Sequence, residues 1–260
     1  MHTLPGVLID YHMHTRLTDG TGVPADYARV ALERGLDEIG CSDHAPLADR
    51  DTDWTMKLKD LDTYVGWVGE AQEKFPELSI KLGLEVDFIP GREDWIRALA
   101  VMHPWDYFLG SVHFIGDWPI DRSAEDWKDQ DVEERWQQYF DLWAQAGRSG
   151  LFDSLAHPDL PKKFNFRPKK FEYADALKNV RCAIEVSTAG LRKPCREIYP
   201  SEEFLRAARQ FDIPITLGSD AHIPQDTGAD FSKALALARA CGYRQICRFT
   251  QRKRELVPLG

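Results

Sequence analysis

Paired cysteines are missing from this 260-residue chain. Its five cysteines, at positions 41, 182, 195, 241 and 247, form no C-x-x-C motif and leave an odd count. That argues against a disulfide framework or a closed thiolate zinc site and for a reducing, cytoplasmic setting. A basic excess is missing too. The formal net charge is −9, from 33 basic and 42 acidic residues, and such a surface repels a phosphate backbone, so no nucleic-acid partner is expected. No apolar run approaches the length of a bilayer span, so no membrane partner is expected either. Met1–Ile9 lack the basic-then-apolar pattern of a secretory leader, and none is expected. Low-complexity tracts, long linkers and breaks in composition are likewise missing. A chain of this length buries a sizeable core without staples, and residues 1–260 are expected to form one domain. The oligomeric state is left open.

What recurs instead is an alternation of short apolar runs and longer amphipathic stretches. The runs are Gly6–Asp10, Glu38–Ser42, Ile80–Val86, Tyr107–Val112, Phe152–Ala156, Ala183–Val186 and Ile215–Gly218. Between and after them lie helix-like segments: Ala25–Arg34, Leu58–Lys74, Asp94–Ala100, Val132–Ala146, Phe171–Asn179, Ser201–Gln210 and Phe231–Ala240. In Val132–Ala146, Trp136, Phe140 and Trp143 fall at helical spacing, which predicts a stripe facing the core rather than a cofactor stack. Strands alternating with helices predict parallel pairing with helical crossovers. An open doubly wound sheet and a closed barrel both satisfy that pattern.

The polar residues decide between them, because each apolar run ends in them. The first runs into Asp10-Tyr11-His12-Met13-His14, the second into Ser42-Asp43-His44, and the third into Gly83-Leu84-Glu85-Val86-Asp87. The fourth ends at Ser111-Val112-His113, the fifth at Ala156-His157-Pro158-Asp159, the sixth at Glu185-Val186-Ser187-Thr188, and the seventh at Ser219-Asp220-Ala221-His222. Only a barrel gathers the C-terminal ends of all its strands at one mouth, whereas an open sheet joins those flanking its switch point. A distorted (β/α)7 TIM-like barrel is therefore expected. Residues i and i+2 of a strand point the same way, so His12 and His14 can aim at one ion, and Asp220 and His222 repeat the geometry. Imidazole with carboxylate suits zinc, iron or manganese, and without cysteine pairs the site reads as open and catalytic. His2 and His103 lie outside the pattern and are read as surface or packing residues. Cys41 and Cys182 are read as small buried residues rather than nucleophiles.

These motifs resemble those of the PHP family, named for polymerase and histidinol phosphatase, over essentially the whole chain. The family's first motif, H-x-H followed by an acidic residue before glycine, reads His12-Met13-His14 and then Asp19-Gly20. Asp43-His44, Glu85, His113, His157 and Asp220-Ala221-His222 match the later ones. The resemblance implies three divalent metal ions. His12, His14, Glu85 and Asp220 would hold the first, and Asp19, His44 and His222 the second. His113 and His157 would hold the third, bridged to the first by Glu85. Within the family the chain looks most like the stand-alone histidinol-phosphate phosphatases, through Glu185–Pro194, Glu197–Ser201 and Gly218–Pro224.

The resemblance thus implies hydrolysis of L-histidinol phosphate, a step of histidine biosynthesis, by a metal-activated hydroxide. Asp220 and His222 are the candidate catalytic acids, with a small phosphorylated metabolite as partner. For the phosphate, Arg192 is the first candidate, since a guanidinium fork matches phosphate geometry; Lys162, Lys163 and Arg167 follow. The acidic loop Ile115–Asp131, with Asp117, is a candidate cover for the mouth and a partner for a cationic substrate group. Two other enzyme readings are another small phosphate ester, such as a nucleotide or sugar phosphate, and an amidohydrolase-type C–N hydrolase. A scaffold domain with a decayed site is the non-enzymatic one, and the complete ligand set speaks against it.

Overall fold

Apolar runs too short for helices become neighbouring strands, and the structure, a computed structural model, describes residues 6–260. Among these residues the main sheet has seven parallel strands in the order β1-β2-β3-β4-β7-β8-β9. They are β1 (Ile9–Asp10), β2 (Glu38–Cys41), β3 (Ser79–Asp87), β4 (Tyr107–Ser111), β7 (Ser154–Leu155), β8 (Ala183–Ser187) and β9 (Ile215–Gly218). Past the formal ends of β9 and β1 the backbone pairs again. Tyr11 N–H donates to Leu217 O at 3.0 Å, Ala221 N–H to His12 O at 3.1 Å and His14 N–H to Ala221 O at 2.9 Å. Those bonds nearly close the sheet into the expected barrel.

Helices α1 (Pro24–Glu33), α2 (Leu61–Lys74), α3 (Glu93–Met102), α4 (Val132–Ser149), α5 (Ala174–Leu177), α6 (Glu202–Gln210) and α7 (Phe231–Ala240) alternate with the strands. Local chemistry sets several ends. Pro24 opens α1, where its missing N–H costs nothing. The Asp131 carboxylate accepts from Glu134 N–H at the start of α4, and Gly150 takes φ 74° at its end. Trp136, Phe140 and Trp143 are buried as the helical stripe requires. The segment predicted as a helix over Phe171–Asn179 is helical only at Ala174–Leu177. Phe171 and Tyr173 instead pack on Phe140, with ring centres 4.8 and 5.4 Å away, so tertiary contact overrides the helical period there.

Two hairpins lie outside the barrel sheet. The short pair β5 (Phe114–Ile115) and β6 (Trp118–Pro119) falls at the start of the acidic loop. The antiparallel pair β10 (Gln245–Thr250) and β11 (Lys253–Pro258) was not expected from the sequence. It plugs the end of the barrel opposite the mouth. The ring centre of Phe249 lies 5.6 Å from Tyr11 and 6.1 Å from Tyr107. The Tyr107 hydroxyl donates to the carbonyls of Tyr11 and Cys41 at 2.9 and 3.1 Å. Its side chain fits because Gly40 and Gly83 are bare, for a Cβ at Gly40 would stand 2.3 Å from its hydroxyl and one at Gly83 2.4 Å from its ring. His2 lies outside the described residues, as does most of Met1–Ile9. His103 pairs with Asp62 at 3.2 Å on the surface. Cys41 and Cys182 are buried, and burial pushes both thiols up, away from the reactive thiolate.

Candidate metal centre

Every barrel strand except β8 delivers a histidine or carboxylate of the nine-residue set to the mouth, and Glu85 stands at its centre. Glu85 Oε2 lies 3.1 Å from His12 Nε2, 3.5 Å from His14 Nε2 and 2.9 Å from His44 Nδ1. Its other oxygen, Oε1, lies 2.9 Å from His157 Nε2 and 3.6 Å from His113 Nε2. Asp220 Oδ1 is 3.2 Å from His14 and 3.4 Å from His222 Nδ1. Asp19 Oδ2 meets His222 Nε2 at 3.1 Å, with Oδ1 3.7 Å from His44 Nε2. All nine expected ligands thus come together. Four groups have ligand atoms mutually within 4.8 Å: His14, Asp19, His44 and His222; His12, His14 and Asp220; His12, Glu85 and His157; and His44, Glu85 and His113.

One observation suits divalent cations better than a protein-only network, and a second marks the place as a functional site. Both ring nitrogens of His14 are buried with no hydrogen-bond partner, as is His157 Nδ1, and His44 Nδ1 approaches Glu85 without hydrogen-bonding alignment. Orphaned nitrogens in a dry site cost free energy unless something else binds them. The second is strain. His157 (φ 24°) and Asp220 (φ 50°) both sit in the left-handed region, a conformation that persists at functional sites when surrounding contacts enforce it.

The electrostatics follow from the crowding. Burial, helped by the neighbouring His44 and His222, holds His14 down to about 3, so its imidazole is neutral and free to ligate. Burial also opposes charge on His113, yet Asp87 and Glu85 outweigh it and raise that group to about 10. His222 is raised to about 9, with burial overcome by Asp220 and Asp19. Burial would lift Glu85, but the histidines around it hold its carboxyl well below the ordinary range.

A family model described as PHP domain matches residues 10–189. This chain belongs to the PHP domain family. A relative from Deinococcus radiodurans named "Probable histidinol-phosphatase" is 38% identical over 260 residues, across 96% of this chain and 99% of its own. The "Histidinol-phosphatase" of Lactococcus lactis is 25% identical over 259 residues, covering 94% of this chain and 95% of its own. A crystal structure of histidinol phosphate phosphatase from Lactococcus lactis, complexed with zinc, L-histidinol and phosphate, superposes with a TM-score of 0.81. It is 23% identical, over 95% of this chain and 98% of that one, and shares the fold.

Around the PHP centre stand carboxylates whose partners the sequence did not reveal. Glu185 Oε1 accepts from His12 Nδ1 at 2.8 Å, while its Oε2 accepts from the backbone N–H of His157 at 2.6 Å. Asp87 accepts from His113 Nδ1 at 3.1 Å and from its backbone N–H at 3.0 Å. Each fixes a tautomer that leaves Nε2 facing the centre. Gly218 makes room for Glu185, since a Cβ there would lie 1.8 Å from Oε1 and 2.7 Å from His12 Cβ. Asp10 accepts from Ser219 N–H and Gly228 N–H, both at 2.8 Å, and ties β1 to the turn that carries Asp220. The signal for these residues was their place at strand ends. Which histidine each meets is a matter of tertiary approach, across 173 positions for Glu185 and His12.

A cavity of about 750 Å³ opens over the centre. Asp19, His44, Glu85, His113, His157, Asp220 and His222 form its floor, and Trp54 stands on the wall, edge-on to His44 at 4.6 Å. Of the expected substrate contacts, Lys163 and Asp117 reach this wall; Lys162, Arg167 and Arg192 do not. Lys162 is wholly buried, bonded to Asp159 at 3.0 Å and to Ile198 O at 2.7 Å. Arg167 pairs with Glu197 at 2.9 Å. Arg192 turns back, with Nη2 donating to Ser219 O at 2.5 Å and Nε 3.1 Å from Asp226. In each case a nearer acceptor in the protein claims the cation. The acidic loop is partly built into the fold: Trp127 is buried and donates to Ile120 O at 2.7 Å. Asp117 is exposed and pairs with Arg50 at 3.2 Å.

Proposed function

We propose that this chain hydrolyses L-histidinol phosphate to L-histidinol and phosphate at the centre built around Glu85. The observation that carries the reading is that one buried carboxylate faces five histidines, three through Oε2 and two through Oε1. That arrangement suits a carboxylate shared between cations. Up to three ions of zinc, iron or manganese would be held there: one by His12, His14, Glu85 and Asp220, one by Asp19, His44 and His222, and one by His113, His157 and Glu85. Such ions supply an activated water near neutral pH and positive charge for phosphoryl oxygens.

The chain's own residues do the rest. Glu185 and Asp87 keep His12 and His113 in the ligating tautomer. Asp220 and His222 line the floor of the cavity beside the centre, and we assign the proton for the leaving alkoxide to whichever of the two is free of metal at that step. The open cavity gives a small phosphorylated metabolite room above the floor, and the name of the 38% identical relative supports histidinol phosphate as that metabolite. Five buried, unpaired cysteines suit a cytoplasmic setting.

A panel of phosphate monoesters tests the substrate: histidinol phosphate against an aryl phosphate, a nucleotide and a sugar phosphate. The expected result is a clear preference for histidinol phosphate in kcat/KM. Turnover of it no faster than of the aryl ester would sink the assignment. Replacing His12 and His14 together by Ala is expected to remove both bound metal and turnover, and retained activity would defeat the centre itself.

A further inference from the structure

The cations on the cavity wall are not equivalent. Arg122 is bound to Asp126. Lys163 donates to both the carboxylate and the carbonyl of Asp121, at 2.9 and 2.6 Å. Lys193 shares the wall with them and with Asp220 and His222. Among the described residues it has no carboxylate within 4.0 Å. From these observations we propose that Lys193 is the residue that binds the phosphoryl group of the substrate, the role the sequence assigned to its neighbour Arg192. The inference rests on the phosphomonoester reading of the site.

Its support is built for such a task. Lys193 follows the single helical turn Ala189–Arg192, and its backbone N–H donates to Gly190 O at 3.1 Å while its carbonyl accepts from Arg196 N–H at 3.0 Å. Gly190 is packed so closely that a Cβ would lie 1.9 Å from Glu197 O. Arg192 bolts this turn to the Ser219 carbonyl beside Asp220. The loop that carries Lys193 is therefore anchored to the strand end that carries two of the proposed metal ligands. A half-buried lysine on a hydrogen-bonded support meets an anion with less ordering left to do.

The test is inorganic phosphate binding to the zinc-loaded protein, followed by calorimetry and by competitive inhibition of any phosphatase activity. Lys193→Met is expected to weaken phosphate by about tenfold to a hundredfold, the loss of one charge-assisted hydrogen bond. Zinc content and inhibition by L-histidinol should stay unchanged, and Lys193→Arg should recover much of the affinity. Unchanged phosphate affinity in Lys193→Met overturns the proposal, as does loss of zinc from that variant. Phosphate affinity that falls in Arg192→Ala but not in Lys193→Met also overturns it and returns the role to Arg192. Because free phosphate is common to every monoester, this outcome is independent of whether histidinol phosphate proves to be the substrate.

Discussion

At the scale of single residues, protons and the proposed metal ions would compete for the same nitrogens. His113 is raised to about 10 and His222 to about 9 in the metal-free protein, each held by carboxylates that outweigh burial. Near neutral pH both therefore carry a proton that a metal ion must displace. The sign of the stability effect follows from the direction of these shifts. A histidine whose folded-state value lies above its unfolded one stabilises the fold fully below the unfolded value of about 6.5, and that contribution disappears as pH rises through 9 to 10. The metal-free protein is thus expected to lose thermal stability between neutral pH and pH 10, and the zinc-loaded protein, with neutral ligands, to lose less. Zinc uptake near neutral pH should release protons, measurable by calorimetry in buffers of different ionisation enthalpy. Metal binding with no proton release would contradict the assigned states of His113 and His222.

Elements read from the sequence differ in how much of their role was legible. The seven barrel strands were, because each apolar run ends in a polar motif, and two periodicities, of strand and of helix, alternate along the chain. The same strand-end placement brought eight of the nine candidate ligands into view, and the resemblance to the family's first motif added Asp19. That placement did not show that Arg192 is held by the carbonyl of Ser219, a contact that only the tertiary fold supplies. The β10–β11 hairpin was illegible for another reason. Arg248 interrupts its apolar residues, and that arginine is needed to pair with the buried Glu38 at 2.9 Å. Phe249, buried against Tyr11 and Tyr107, is the hairpin's wedge in the barrel floor. Phe249→Ala should cost about 3–5 kcal/mol of stability, read from urea unfolding of the zinc-loaded protein. With the mouth at the other end, kcat/KM of the folded fraction should hold. A matching loss of zinc affinity would mean that the floor and the mouth are not separable elements.

For the molecule as a whole, the place where the barrel closes is also where its candidate metal ligands are densest. His12 and His14 extend from β1, Asp220 and His222 from β9, and the seam between them is made by the bonds of Ala221 N–H to His12 O and His14 N–H to Ala221 O. Asp10 reinforces it through Ser219 and Gly228. Ions held by side chains from both strands, as proposed, would therefore cross-link the first strand of the chain to the last of the barrel. A ligand that binds only the folded state stabilises it by mass action, but here the added protection should be uneven. Chelation is expected to speed amide exchange at residues 11–14 and 217–221 far more than at the β3–β4 pairing, whose ladder from Gly83 with Tyr107 to Asp87 with Ser111 is continuous. Hydrogen–deuterium exchange of the zinc-loaded and metal-free proteins measures this directly. Equal acceleration at both places would mean that the centre stabilises the barrel only globally; confinement to the seam would make the metal centre the clasp of the barrel as well as its active site.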